Sequence, residues 1–186
     1  MNRNTRVLLS AGLLSSFVLA VFDLLFPLYL QERGVSLVDM GLIFSASTLA
    51  ISFLGIFVGE YADVHGRQRI YIASCSISAV AKSLFPVSAA RLEVLGNKFL
   101  HDLQETLRNT VHNVMLYESS RKEYGKLLAW FTTSNFVIQA LGSVTFAFLL
   151  AFMGYSGCFF LLAGVEVIKL LVVLAYREDR HGGGER

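Results

Sequence analysis

Apolar residues run along almost the whole chain, in stretches long enough to cross a lipid bilayer. Short segments containing glycine or charged residues separate six such stretches. A helix of about 20 predominantly apolar residues spans the hydrocarbon core of a membrane. The predicted spans are approximately residues 7–30, 35–58, 70–90, 92–117, 127–153 and 155–176. The pattern therefore predicts an all-α membrane protein, built as a bundle of six transmembrane helices.

The composition excludes several other classes of protein. Of the 186 residues, 54% are hydrophobic and 16% are charged, whereas an ordinary soluble domain has about 25% charged residues. Six spans require roughly 120 residues, which leaves no room for a separate soluble domain of ordinary size. A disordered chain and a soluble enzyme are both disfavoured. We assign no catalytic residues and predict no enzyme activity.

Charge and cysteine content add little chemistry. The net charge of +2 is too weak to indicate a nucleic-acid partner. Cys75 and Cys158 are not spaced like metal ligands, and we expect them to lie near opposite faces of the membrane, too far apart for a disulfide. The lipid bilayer is the partner that the composition implies, and no metal or cofactor is predicted.

The distribution of Lys and Arg predicts the orientation of the helices. If the amino terminus is cytoplasmic, ten of these residues fall in inside segments, and only Arg33 and Arg91 fall in outside loops. Inside segments of membrane proteins carry such an excess. The ten are Arg3, Arg6, Arg67, Arg69, Arg121, Lys122, Lys126, Arg177, Arg180 and Arg186. We predict a multi-pass protein of the cell membrane with both termini cytoplasmic, ending in a disordered tail at residues 177–186.

The fourth predicted span is more polar than the others, and its polar side chains share one helical face. On a helix of 3.6 residues per turn they lie within an arc of about 80°. They are Asn97, His101, Gln104, Arg108 and His112. Inside a bilayer such a stripe must face water, protein or a solute. Two interpretations remain open: a buried polar seam within the bundle, or the lining of a cavity.

Two lysines and a glutamate also lie within predicted spans. Lys82 on the third span and Glu166 on the sixth both fall near the middle of the membrane and could form an ion pair. Glu166 could instead pair with Lys169, which follows it by one helical turn.

The segment between the second and third spans carries the most specific motif. Residues 59–69 read GEYADVHGRQR, which resembles the signature loop G-x-x-x-D-x-x-G-R-x-R/K of the major facilitator superfamily. The matching residues are Gly59, Asp63, Gly66, Arg67 and Arg69. Gly66 permits a tight reversal with positive φ. The resemblance implies that Arg67 contacts Glu118 at the end of the fourth span, with Asp63 completing the charged cluster.

The resemblance also implies a fold and a function. Members of this family normally have two six-helix halves with the substrate site between them, and this chain resembles the N-terminal half. We therefore expect a half-length transporter that moves a small solute across the membrane by alternating access. The alternative is a membrane protein that does not transport: a regulatory or assembly partner, or a truncated gene product.

The family lines its central cavity with the first and fourth spans, so the resemblance implies a solute and proton path there. The candidate residues are Asp23, Lys98, His101, Gln104, Arg108 and His112. Asp23 lies about 12 Å inside the outer end of the first span, at the level of Lys98 and His101. We expect the carboxyl group of Asp23 to couple transport to protons.

Small residues on the second and fifth spans predict an interface with a second six-helix half. The family joins its halves through these spans, and small side chains let helix backbones approach closely. The second half would be another copy of this chain or a separate chain. The residues concerned are Gly41, Ser45, Ser52, Gly55 and Gly59, together with Ala140, Ser143 and Ala147. Packing within one bundle is the alternative.

Two other interpretations are weaker. The first stretch could be a signal peptide, but its apolar run continues to Leu30, beyond the usual length of such a segment. The sequence GYSG at residues 154–157 matches the G-x-S-G motif of rhomboid-type intramembrane proteases. Such a protease needs a histidine base on a later span, and the only histidine after Ser156 is His181 in the glycine-rich tail.

Overall fold

The computed structural model describes residues 2–88 and 90–176, and the predicted tail lies outside the described residues. Long helices make up nearly all of the described chain. They are α1 (Arg3–Glu32), α2 (Leu37–His65), α3 (Arg67–Leu84), α4 (Arg91–Ser119) and α5 (Tyr124–Leu174), with a 3-10 turn at Phe85–Val87 after α3.

Polar side chains and glycines set the ends of these helices. Asn2 caps α1 by accepting a hydrogen bond from the backbone N–H of Thr5 (2.9 Å). Ser36 caps α2 in the same way, through the N–H of Asp39 (3.1 Å). Gly66, with φ of 92°, ends α2 and begins α3, as the expected reversal with positive φ requires.

Two helix ends differ from the predicted span ends. We placed the end of the second span at residue 58, but α2 continues to His65, so Gly59 and Asp63 are helical rather than part of a loop. The first positive φ after the start of α2 is that of Gly66, where the helix ends. We extended the third span to residue 90, but α3 ends at Leu84 and a 3-10 turn containing Pro86 follows, because proline has no N–H to continue a helix.

The last and longest helical segment doubles back on itself at Gly154. Its 51 residues would extend about 77 Å as one straight helix, more than twice the hydrocarbon thickness of a bilayer. Gly154 instead has φ of 63° and ψ of −177°, a combination open essentially to glycine alone. Both ends of α5 pack in one apolar cluster, through Tyr124 and Val173. We call residues 124–153 and 155–174 the first and second arms of α5.

Two apolar clusters hold the bundle together, one at each end. The cluster at the Gly34 end, where α1 turns into α2, includes Phe22, Phe26 and Phe159. The cluster at the Gly66 end includes Leu8 and Tyr71. Cys75 belongs to the Gly66-end cluster and Cys158 to the Gly34-end cluster, and both are free thiols, as predicted.

Four segments are long and apolar enough to cross a membrane: α1, α2, α3 with its 3-10 turn, and α5 taken as one. The helix α4 is absent from this group because its polar stripe lowers its hydropathy, yet it packs against α2 and α3 within the bundle. The structure is thus an all-α bundle of the membrane type. The count of six spans stays a prediction.

Candidate functional site

The signature motif forms a charged cluster where α2, α3 and α4 meet. Arg67 at the start of α3 donates to the Asp63 carboxylate on α2 (2.8 Å). The same guanidinium donates to Glu118 near the end of α4. The contact that the sequence predicted between Arg67 and Glu118 is therefore confirmed, with Asp63 as the third member. Arg69 lies exposed beside the cluster.

Glycine at position 59 does not mediate a close helix contact within the described residues. A Cβ atom built on Gly59 would meet no other atom within 4 Å. The motif therefore acts here through its charges and through Gly66.

The polar stripe of α4 faces the interior of the bundle. All five of its predicted members are buried, with exposed fractions of at most 9%. Their surroundings differ along the helix, so the stripe divides into two sites: a charged network near the Gly34 end and a cavity nearer the Gly66 end. A third site, a buried ion-pair cluster, lies beside the stripe.

The charged network centres on Asp102 of α4. Its carboxylate pairs with the Lys98 ammonium one turn earlier, accepts from the Ser47 hydroxyl on α2 (2.5 Å) and lies 3.3 Å from Nδ1 of His101. The His101 ring stacks on Phe22 of α1, with 3.8 Å between ring centroids. This stacking places the Phe22 region of α1 at the same depth in the bundle as His101, as predicted from the number of residues between each position and its helix end.

Asp23 is the neighbour of Phe22, but its side chain is exposed and forms no salt bridge with a described residue. It interacts electrostatically with Glu105, Lys98 and Asp102. The side chains of His101, Asp102 and Glu105 could supply ligand atoms to a metal ion, because those atoms lie within 4.8 Å of one another. The Lys98 ammonium already neutralises Asp102, which disfavours a cation there.

The buried ion-pair cluster joins α3 to the second arm of α5. Lys82 Nζ lies 3.3 Å from Glu166 Oε1, and Lys169 Nζ lies 2.5 Å from Glu166 Oε2. Both of the pairings that the sequence left open therefore occur. Lys82 also donates to the Ser78 hydroxyl (2.5 Å).

The cavity lies between α1, α4 and the first arm of α5, and it has a volume of about 260 Å³. Its lining includes two residues that the sequence predicted, Arg108 and His112. Arg108 donates to the Asn109 side chain (2.9 Å) and to Glu105 Oε1 (3.4 Å). Most of the other lining side chains are small or neutral and polar. They include Ser15, Ser16, Asn113, Asn135 and Gln139.

Gly12 makes room for one wall of this cavity. A Cβ atom at position 12 would lie 2.4 Å from the Phe131 ring and 3.1 Å from His112. The absence of a side chain on Gly12 lets α1 approach both α4 and α5 at this point. The Nδ1 atom of His112 contacts the Tyr71 hydroxyl (3.2 Å), which fixes the imidazole against α3.

The structure separates the predicted path residues. Arg108 and His112 reach the cavity, whereas Lys98 and His101 belong to the Asp102 network. Gln104 is buried, and its Oε1 atom has no hydrogen-bond partner among the described residues. The sequence analysis missed the amides contributed by α5. A pair of amide residues four positions apart in an apolar span, Asn135 and Gln139, was the available signal.

The two small-residue stripes lie mostly on the surface of the bundle. Gly41 and Ser45 of α2 are exposed, as are Ala140, Ser143 and Ala147 of the first arm of α5. Gly55 differs, because its position faces Thr106 of α4, whose Cγ2 would lie 3.5 Å from an added Cβ. That glycine belongs to packing inside the bundle. The role of the stripes as an interface remains a prediction.

Long apolar helices around buried charges and a polar cavity define a class: a multi-pass integral membrane protein. A family model described as Major Facilitator Superfamily matches residues 8–186. The chain therefore belongs to the Major Facilitator Superfamily, whose members are transporters rather than enzymes.

One relative is the uncharacterized MFS-type transporter YwfA of Bacillus subtilis (strain 168), which is 22% identical over 127 residues. The aligned region covers 67% of this chain and 31% of the relative. The chain therefore matches about a third of that protein's length. No solved structure matches the chain significantly.

Proposed function

We propose that the chain forms a six-span transporter bundle that moves a small solute by alternating access, together with a second bundle of the same kind. The polar cavity at Arg108 carries this proposal. A membrane interior tolerates polar lining only where it faces protein, water or solute. Here serine, asparagine, glutamine and arginine side chains from three helical segments converge on one open space. Family membership supports the same assignment.

In this proposal the first and second arms of α5 are the fifth and sixth spans. Both arms contain apolar stretches long enough to cross a bilayer, and Gly154 provides the reversal between them. The Gly66 end would be cytoplasmic, in agreement with the excess of Lys and Arg at that end, and the bundle would lie in the cell membrane.

Flux measurements test the transport function. The purified chain, reconstituted into proteoliposomes, should take up a labelled solute from a panel of small organic acids, amines and sugars when a proton gradient is imposed. If Asp23 carries the coupled proton, Asp23→Asn should abolish uphill uptake and leave downhill exchange. Asp39→Asn, outside the cavity in the first turn of α2, is the matched control. Absence of flux for every solute would favour the non-transporting alternative.

A second bundle would pack against the exposed small-residue stripes. Single cysteines replacing Gly41, Ser45 or Ala147, in a chain with Cys75 and Cys158 replaced by alanine, should cross-link in the membrane if two copies associate. Ile168→Cys, on an exposed apolar position of the second arm, should not. A folded chain that is monomeric by mass and gives no cross-links would exclude pairing of identical copies through these faces.

A further inference from the structure

We infer that the cavity binds a small solute through a carboxylate group, which takes the place of Glu105 on Arg108. This inference rests on the proposed function, because it treats the cavity as the solute site. It adds the chemical class of the solute.

The first argument is the excess of hydrogen-bond donors facing the cavity. The Nε and Nη2 groups of Arg108 donate hydrogen bonds to Asn109 and Glu105, whereas its Nη1 group donates to no described residue. The Oδ1 atom of Asn135 lies 2.7 Å from the Ser16 hydroxyl, and the amide group of Asn135, which lines the cavity, donates to no described residue. Donors without protein acceptors favour a ligand that accepts hydrogen bonds.

His112 adds a third group of this kind. Its side chain is more than nine-tenths buried and lines the cavity, and its Nε2 atom has no hydrogen-bond partner among the described residues. Because Nδ1 lies against the Tyr71 hydroxyl, Nε2 is the ring atom left for a ligand. When Tyr71 donates to Nδ1, the Nε2 atom of the neutral ring carries the hydrogen.

The second argument is that the existing partner of Arg108 holds it weakly. Glu105 is the acidic residue in the lining, and its Oε1 atom lies 3.4 Å from Arg108 Nη2, at the long limit of a hydrogen bond. A carboxylate on a solute could form two parallel hydrogen bonds with the guanidinium, which is the stronger geometry. The displaced Glu105 carboxylate is not left buried, because 28% of its side chain is exposed. The cavity volume of about 260 Å³ lies just below the usual range of small-molecule sites, so the solute is small.

Binding to the folded chain, measured by calorimetry in lipid nanodiscs, tests the solute class. Acetate, lactate and succinate are the probes, and acetamide and lactamide are their uncharged counterparts. At least one carboxylate should bind at least tenfold more tightly than its amide. Arg108→Gln should weaken that binding about 10- to 150-fold, which is the loss expected for a charge-assisted hydrogen bond, and Arg108→Lys should restore part of it. Arg91→Gln, an exposed arginine remote from the cavity, should leave it unchanged.

Several results would overturn the inference. These are equal affinity for amide and carboxylate, undiminished binding in Arg108→Gln, or no binding by any carboxylate to a folded sample. Failure of the transport function gives a different result: carboxylate binding that depends on Arg108, with no flux in proteoliposomes. Flux of a solute that lacks a carboxylate would contradict the inference while supporting transport.

Discussion

Replacing Glu166 with glutamine should destabilise the bundle far more than removing either lysine that it pairs with. The exposed fractions of the three side chains are 0% for Lys82, 1% for Glu166 and 0% for Lys169. Two ammonium groups thus share one carboxylate in the interior. Glu166→Gln leaves both cations without a counter-charge, whereas Lys82→Met leaves a neutral pair of Glu166 with Lys169.

The expected magnitudes follow from this charge count. Removing one partner from a buried ion pair typically costs about 3–5 kcal/mol, which would change the unfolding equilibrium about a hundredfold to a few thousandfold. Lys82→Met removes the surplus charge and preserves side-chain volume, so its cost should be below about 1.5 kcal/mol. The loss of the Ser78 contact is included in that figure.

Reversible unfolding in mixed micelles, followed by the fluorescence of Trp130, the only tryptophan, measures these differences. The double variant Glu166→Gln with Lys82→Met should recover part of the loss, because it leaves one unpaired ammonium instead of two. The reasoning is refuted if Glu166→Gln costs less than about 1 kcal/mol, or if Lys82→Met costs as much as Glu166→Gln.

Three further predictions concern the ends of the helices. A double-mutant cycle on Arg67 and Glu118 should give a coupling energy below about 1 kcal/mol, because the pair is partly exposed; a value several times larger would mean that the cluster is shielded from water. Gly154→Ala should cost about 1–3 kcal/mol, because its backbone conformation is open essentially to glycine. Gly164→Ala, at a helical position with no atom in the way, should instead stabilise by up to about 1 kcal/mol, and equal effects of the two would refute the role of Gly154. Tyr29→Phe should cost about 1–3 kcal/mol in unfolding free energy, because the buried hydroxyl donates to the Phe85 carbonyl (2.6 Å); an unchanged stability would mean that water replaces the donor.

The contacts at the Gly66 end were predictable because each partner sits at a helix end. Arg67 and Glu118 both lie where apolar stretches stop, and the resemblance to the signature loop pairs them. The exact end of α2 was not predictable from hydropathy. The polar residues between positions 59 and 65 interrupt the apolar run, but they do not interrupt the backbone hydrogen bonds of the helix.

The division of the α4 stripe could not be predicted from α4 alone. The sequence established that Asn97, His101 and Arg108 share one face, and it left a seam and a cavity as alternatives. The structure contains both, because the residues opposite the stripe differ along its length. Phe22 fills the space at His101, whereas Gly12, serines and amides leave space at Arg108. Hydrophobic periodicity shows which face of a single helix is buried, but it does not show which residues of the other helices lie opposite that face.

Access to open space, rather than the degree of burial, distinguishes the structural charges from the functional candidates. Lys82 and Arg108 are both buried cations close to a glutamate. By burial alone Lys82 would be the stronger functional candidate, since no part of it is exposed. Yet Lys82 is enclosed by Ser78, Glu166 and the Phe22 ring, so a solute could reach it only if α3 and α5 separated. Arg108 borders a cavity, and its distance of 3.4 Å from Glu105 is at the long limit of a hydrogen bond. A solute can compete for Arg108 without disrupting the bundle, whereas it cannot compete for Lys82.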